Sequence, residues 1–317
     1  MACPLCDSPH HRRRWSLGDR LFRTTTARFD LHRCRDCGAH FLHPRPTPEE
    51  LRGFYPRGYW VERRGGAGSV RRVLTGAYRQ LVLGDHRRFL ARVAAGQEER
   101  GLPLRHLDVG CGDGSYLSLS PAPVRVGLDL APAALANVRG RGLQAVRGSV
   151  PGSPFRSGSF TLVSMLHYLE HLPAPEPALA EVRRLLVPGG DLIVQIPVLD
   201  SWQARLLGRW WGGLDVPRHL VDYRAANLRS ALAAAGFAVI RESRLSLRDN
   251  PTALANSLVP ALYPPARAAR RRGHQGLAGW VGDLVYLGVV LLALPFTLLE
   301  TAAGRGATVM VQARLRP

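Results

Sequence analysis

Lysine is missing altogether: the 317 residues carry 43 basic side chains, every one an arginine, against 24 acidic ones. A formal charge of +19 ordinarily points to nucleic acid or an acidic membrane surface, because clustered cations release counterions from phosphate. An all-arginine basic set instead marks a compositional bias spread over the chain. Runs such as Arg12 to Arg14 and Arg270 to Arg272 therefore read first as solvated, and nucleic acid is the less favoured partner. An apolar leader is also missing, since the chain opens on a cysteine pair and a basic run; this argues against secretion and for a reducing cytoplasm. Cysteine is sparse, and four of the five fall into two CxxC pairs, a spacing that suits a metal better than disulfides. What is present in quantity is apolar: 46% of residues, enough for one large domain and a small appendage.

The cysteine pairs are Cys3-Pro-Leu-Cys6 and Cys34-Arg-Asp-Cys37, with Gly38 after the second. Thiolates three apart can face one ion when the turn between them curls back, and a glycine there permits the positive φ such a knuckle needs. Two knuckles predict a structural four-thiolate zinc site over residues 1–45, with Trp15 to Leu31 as the β-hairpin of a zinc ribbon; a redox CxxC is the rival. Four cysteines leave no open position for water or substrate, so the zinc would not be catalytic. Residues 46–100 form a connector and an amphipathic helix around Val70 to Ala95. The connector's Tyr55, Tyr59 and Trp60 are expected to pack on the next domain, with lining a substrate mouth the second option.

From residue 101 the chain changes character. A short apolar strand, Leu104 to Val109, runs into Gly110-Cys-Gly112-Asp-Gly114, where missing Cβ atoms let a nucleotide-bearing ligand lie over the strand end. A helix should follow, then the strand Val124 to Asp129, ending in an acid placed to accept ribose hydroxyls. Such a glycine turn by itself fits a dinucleotide fold equally well.

The ordered set LDVGCGDGSYL, VGLDL, GSVPGSPFRSGSFTLVSMLHYLEHL and LLVPGGDLIVQIP, spanning about residues 104 to 197, resembles the class I S-adenosylmethionine-dependent methyltransferases. The resemblance implies an α/β fold: a seven-stranded Rossmann-like sheet over 101–317, with the four-cysteine ribbon before it. It implies S-adenosylmethionine as cofactor. Asp108, Gly110, Gly112 and Gly114 would hold its amino-acid end, Asp129 the ribose with Leu130 beside it, and Ser149 with Val150 the adenine edge. The segment from Leu166 would stand by the sulfonium methyl. The family often has Asp where Ser149 stands, and often SFD where Ser159-Phe160-Thr161 stands. Cys111, inside the glycine loop, reads as a small buried side chain, since nothing near it supplies a base.

Methyl transfer from a sulfonium needs an aligned acceptor and, for a hydroxyl, a base. His167 and His171 follow the fourth strand, and His219 lies in Asp215-Val-Pro-Arg218-His219, a block similar to zinc-ribbon methyltransferases of glycan and lipid biosynthesis. His171 or His219 is the expected base, with Arg218 orienting an acidic substrate. The absence of an Asn-Pro-Pro-aromatic motif argues against the nucleic-acid amino-methyltransferases.

Near the C-terminus the strands Phe237 to Leu245 and Ala307 to Leu315 should pair as a hairpin, yet about sixty residues separate them. This helical insertion, 252–303, holds Leu284 to Leu299, an uncharged apolar run that Asp283 and Pro295 would cut short. One crossing of a bilayer would strand the last strand away from its sheet. The insertion should therefore pack in a homodimer or lie on the inner face of the membrane, its arginines at the headgroups. The reading is a cytoplasmic, membrane-peripheral O-methyltransferase of a small-molecule, glycan or lipid-linked intermediate. The alternatives are an rRNA or tRNA methyltransferase, and a noncatalytic zinc-ribbon scaffold.

Overall fold

The computed structural model describes residues 2–56, 81–270 and 277–316. Tyr59, Trp60, Arg271, Arg272 and the 70–80 part of the expected helix lie outside them. The chain begins with β1 (His11–Gly18) and β2 (Arg28–Cys34), an antiparallel hairpin extended by β3 (His40–Leu42). Helix α1 (Pro48–Gly53) starts where sequence alone would place a helix: Thr47 Oγ1 accepts from the Glu50 amide, Glu50 accepts from the Thr47 amide, and Pro48 occupies the first turn. Helix α2 (Gly84–Glu98) buries Phe89, Leu90 and Val93 on one face.

Five parallel strands follow: β4 (Arg105–Val109), β5 (Val124–Asp129), β6 (Gln144–Arg147), β7 (Phe160–Leu166) and β8 (Leu186–Pro197). Apart from Leu166 at its end, β7 is buried throughout, as a central strand covered on both faces must be. Between β5 and β6 lies α3 (Pro132–Gly140), and between β7 and β8 lies α4 (Glu176–Leu185). Helix α4 turns Ala178, Leu179, Val182 and Leu185 inward, each Leu or Val stabilising the fold by roughly 1.5–3 kcal/mol. The helix expected between β4 and β5 is not formed. Only a 3₁₀ turn, Leu117–Leu119, fills the gap. Pro121 and Pro123 explain this: each lacks an N–H and pushes the residue before it out of the helical region.

After α5 (Trp202–Leu207), the two-residue strand β9 (Val221–Asp222) pairs with β3, so a segment of the larger domain completes the N-terminal sheet in the order β1-β2-β3-β9. The two sheets share one core: Leu31, Phe41 and Leu42 pack in the same cluster as Val194, Leu220 and Tyr223. A buried ion pair ties them further, with Arg218 gripping Asp19 through two hydrogen bonds of 3.0 and 2.9 Å.

Helix α6 (Ala225–Ala234) leads to β10 (Phe237–Ser243), which pairs antiparallel with β11 (Thr308–Leu315); β11 in turn pairs antiparallel with β8. The large sheet therefore runs β10-β11-β8-β7-β4-β5-β6. The insertion between β10 and β11 contains α7 (Asp249–Leu258), α8 (Pro264–Arg270) and α9 (Leu277–Ala302). Contrary to expectation, neither Asp283 nor Pro295 ends the apolar helix. Asp283 pairs with Arg267 at 3.2 Å, and α9 continues through Pro295 for 26 residues, about 39 Å. Both ends of the insertion are pinned: buried Asn250 bonds Thr308 and the Arg244 carbonyl, and buried Glu300 accepts from Gln203.

Candidate active site

At the carboxyl ends of β4, β5 and β7 opens a cavity of about 1220 Å³. Its floor is the glycine loop, with φ of +67°, +53° and +73° at Gly110, Gly112 and Gly114. Gly110 is required twice over, since a Cβ there would also lie 2.4 Å from the Tyr168 ring. Asp129 closes the loop: its two carboxylate oxygens accept from the Gly112 and Ala131 amides at 3.1 and 2.8 Å, and each keeps a lone pair for a ribose hydroxyl. Leu130 beside it is 60% exposed, an apolar face suited to a flat ring. Ser149 and Val150 line the same end, and Tyr168 reaches over to the Val150 backbone at 3.4 Å. Leu166 lines the cavity between these groups and the histidines.

Asp108 lies at the base of the cavity, nearly covered, accepting from Ser164 Oγ at 2.5 Å. Burial, with Asp129 and Asp113 nearby, outweighs the Ser164 bond and pushes its pKa up to about 7. A cationic ammonium arriving here would meet a carboxylate with no counter-charge. All the expected cofactor residues but Gly114 thus line one cavity, and their chemistry fits S-adenosylmethionine: an acid for an ammonium, an acid for two hydroxyls and an apolar edge for adenine. Cys111 packs against Gly127, and burial together with the nearby Asp108 and Asp129 pushes its thiol pKa up, so it stays protonated.

At the other end stand His167, His171 and His219. The rings of His171 and His219 meet edge to face at 4.8 Å. His219 Nδ1 is 2.9 Å from the Gly213 carbonyl, and His171 Nδ1 is 3.0 Å from the Arg218 carbonyl. A carbonyl can only accept, so Nδ1 of each ring is the donor there, and Nε2 is the ring nitrogen not committed to a carbonyl. Burial, followed by the neighbouring His171, lowers the His219 pKa to about 4, which keeps that ring neutral. Burial also opposes charge on His167, but Asp249 and Glu170 outweigh it and hold its pKa up at about 9. His167 takes φ +51°, a left-handed conformation uncommon outside glycine, where β7 gives way to the pocket.

Arg218 is not placed to meet an acidic substrate. It is fully buried, bonded to Asp19 and Asp215, and stacked on the Phe22 ring at 4.5 Å. The expectation for Tyr55 shifts as well: it lines the cavity, its hydroxyl 3.0 Å from His171 Nδ1. Three site residues escape a sequence reading. Glu170, between two named histidines, could be noticed as an acid in an apolar run. Tyr168 could be noticed only as its neighbour. Asp249 carries no local signal, because it reaches the site from the insertion, bonding Gln195 at 2.7 Å and lying 3.5 Å from His167.

In the N-terminal sheet, Cys3, Cys6, Cys34 and Cys37 are free thiols with their sulfurs within 4.8 Å of one another. Cys3 to Cys37 is 3.7 Å and Cys6 to Cys34 is 3.6 Å. Four sulfurs about 2.3 Å from a central ion would be spaced about 3.8 Å apart, so the cluster has the size of a tetrahedral thiolate site. Gly38, at φ +74°, supplies the expected knuckle turn.

A seven-stranded sheet closed by an antiparallel hairpin, with a glycine loop and a ribose-facing acid, defines the class I S-adenosylmethionine-dependent methyltransferases. A family model described as a methyltransferase domain matches residues 77–242, and the chain belongs to that family. An uncharacterized protein of Mycobacterium tuberculosis is 34% identical over 146 residues, covering 46% of this chain and 50% of that one. A tRNA (carboxymethyluridine(34)-5-O)-methyltransferase of Arabidopsis thaliana is 26% identical over 107 residues, 33% of this chain and 26% of that one. The chain spans about half the length, or less, of these curated relatives. Among solved structures, an S-adenosylmethionine dependent methyltransferase from Mesorhizobium loti is 18% identical and covers 67% of this chain and 90% of that one, at a TM-score of 0.41.

Proposed function

We propose that the enzyme methylates a hydroxyl of a small-molecule, glycan or lipid-linked biosynthetic intermediate, working at the cytoplasmic face of a membrane. The observation that carries this reading is the composition of the cavity wall. Facing the glycine loop are Arg248, Asp249, Thr252, Asn256 and Tyr263, all from the insertion. The same insertion exposes an apolar stripe along α9, including Leu284, Leu291, Leu292 and Leu299. An acceptor with a lipid tail could keep that tail at the bilayer while its polar end enters the cavity.

The chemistry asked of the protein is modest. S-adenosylmethionine supplies an activated methyl carbon, and the acceptor oxygen must lie in line with the carbon–sulfur bond. His171 and His219 activate the hydroxyl, their Nε2 lone pairs being uncommitted. The N-terminal thiolates hold a structural zinc ion, which stabilises the sheet that β9 completes.

Calorimetric titration with S-adenosylmethionine, a zinc assay on the same sample and an Asp129→Ala control test the cofactor end. Transfer of labelled methyl to extracted lipids, glycan precursors or RNA tests the acceptor end. Label in the lipid or glycan fraction is the expected result. Label confined to RNA would replace this reading with the one the tRNA methyltransferase relative suggests.

A further inference from the structure

We infer that Glu170, His171 and His219 bind a divalent first-row metal ion in the acceptor half of the cavity. The inference deepens the function proposed above and rests on that cavity being the acceptor site. One donor atom from each of the three residues lies within 4.8 Å of the other two. Two imidazoles and a carboxylate are a donor set that such ions favour, whereas the soft thiolate cluster selects zinc.

Three further observations separate this cluster from an ordinary group of polar side chains. First, each imidazole has its Nδ1 on a backbone carbonyl, that of Gly213 for His219 and that of Arg218, with the Tyr55 hydroxyl beside it, for His171. This is how metal-bound histidines are held, because it fixes the tautomer and aims the Nε2 lone pair. Second, Glu170 is fully buried in the wall behind the histidines, and its Oε2 has no hydrogen-bond partner among the described residues. A buried carboxylate oxygen left unpaired is costly, and a cation would satisfy it. Third, His171 and His219 line the cavity, so three protein ligands on one side leave the other side open to a bound molecule. That is the arrangement of a catalytic ion rather than a closed structural one.

The spacing is slightly wide. His219 Nε2 and Glu170 Oε1 are 4.0 Å apart, whereas donors about 2.1 Å from one ion are separated by roughly 3.0–3.4 Å. With all three donors within 4.8 Å of one another, each pair must close by roughly 0.6–1.8 Å, within the reach of side-chain torsions. His167 Nδ1 also lies 3.2 Å from Glu170 Oε1, so the ion would share that oxygen or draw in Oε2 by rotation of the carboxylate.

The ion changes how the acceptor is activated. A hydroxyl bound to it loses its proton to solvent water near neutral pH, as metal-bound water does. The resulting oxyanion attacks the methyl carbon. The new oxygen–carbon bond forms as the carbon–sulfur bond breaks, its electron pair returning to sulfur to leave a neutral thioether. No electron is gained or lost by the ion. The two histidines then act as ligands, in place of accepting the proton themselves.

The test is a titration of zinc-loaded full-length protein with Mn²⁺, followed by the loss of the free-ion electron paramagnetic resonance signal, in wild type, Glu170→Gln and His219→Gln. Mn²⁺ competes poorly for thiolates, so the cysteine cluster stays silent. One Mn²⁺ per chain is expected, with affinity at least about tenfold weaker in both variants while their S-adenosylmethionine affinity is unchanged. Wild-type protein that binds S-adenosylmethionine but takes up no Mn²⁺, or uptake undiminished in both folded variants, would overturn the inference. Cofactor affinity is read separately, so failure of the proposed function is visible independently of the ion result.

Discussion

Asp108 makes the cofactor end sensitive to pH. Its pKa is raised to about 7 in the fold against an ordinary 3.8. Below 3.8 both folded and unfolded chains hold the proton. Between 3.8 and 7 only the folded chain does, so this residue's contribution to stability falls as pH rises through that window and is constant above it. Binding runs the other way. The cofactor's ammonium favours the ionised carboxylate, so affinity should rise by up to about tenfold per pH unit toward 7 and then level off. Calorimetry in buffers of different ionisation enthalpy should record proton release, and Asp108→Asn should flatten the profile. At Gly110 the constraint is steric. Gly110→Ala would force the Tyr168 ring aside and strain a backbone at φ +67°, and it should weaken cofactor binding by about tenfold or more while the protein stays folded. These residues were legible because glycine spacing and a terminal acid are local patterns. Tyr168 was not, since its approach to Gly110 depends on how the chain turns after β7.

At the level of elements, the joint between β1–β3 and the larger domain combines the β3–β9 pairing and a shared core with one buried ion pair. Burial alone would raise the Asp19 pKa, but Arg218 outweighs it and holds it at about 2. A depressed carboxylate pKa gives stability that is present above about 4 and lost as pH falls toward 2, here about 2 kcal/mol. Asp19→Asn should cost about 3 kcal/mol in urea unfolding near neutral pH, because it leaves a buried guanidinium half-paired with Asp215 alone. Removal of metal by a chelator should loosen the same joint, lowering the thermal midpoint and exposing the cysteines to thiol reagents. The strands β4, β5, β10 and β11 were legible from their apolar runs. The missing helix between β4 and β5 was a failure of analogy, as the two prolines already present were stronger than the expectation of a βαβ unit.

For the whole molecule the question is where the insertion sits. Among the described residues α9 is the single helix long and apolar enough to cross a membrane, yet β10 before the insertion and β11 after it are hydrogen-bonded neighbours in one sheet. A lone crossing would separate them, so α9 must lie along a surface. Replacing the exposed Leu284, Leu292 and Leu299 together with Glu should abolish flotation with anionic liposomes while changing unfolding free energy by no more than about 0.5 kcal/mol per site. A dimer read by sedimentation, with no flotation of wild type, would assign the stripe to a second copy of the chain.

By itself the sequence carried the methyltransferase family, a candidate cofactor loop and two cysteine pairs that the fold gathers into one cluster, because each is written as short-range spacing that local geometry must respect. Only the tertiary structure decided that Arg218 belongs to a buried joint and not to a substrate. It alone brought Asp249 from the insertion to His167, and turned three residues 170, 171 and 219 into one donor cluster. Those outcomes depend on which distant segments share a core and which buried charges find partners, and neither follows from the order of residues along any one strand or helix.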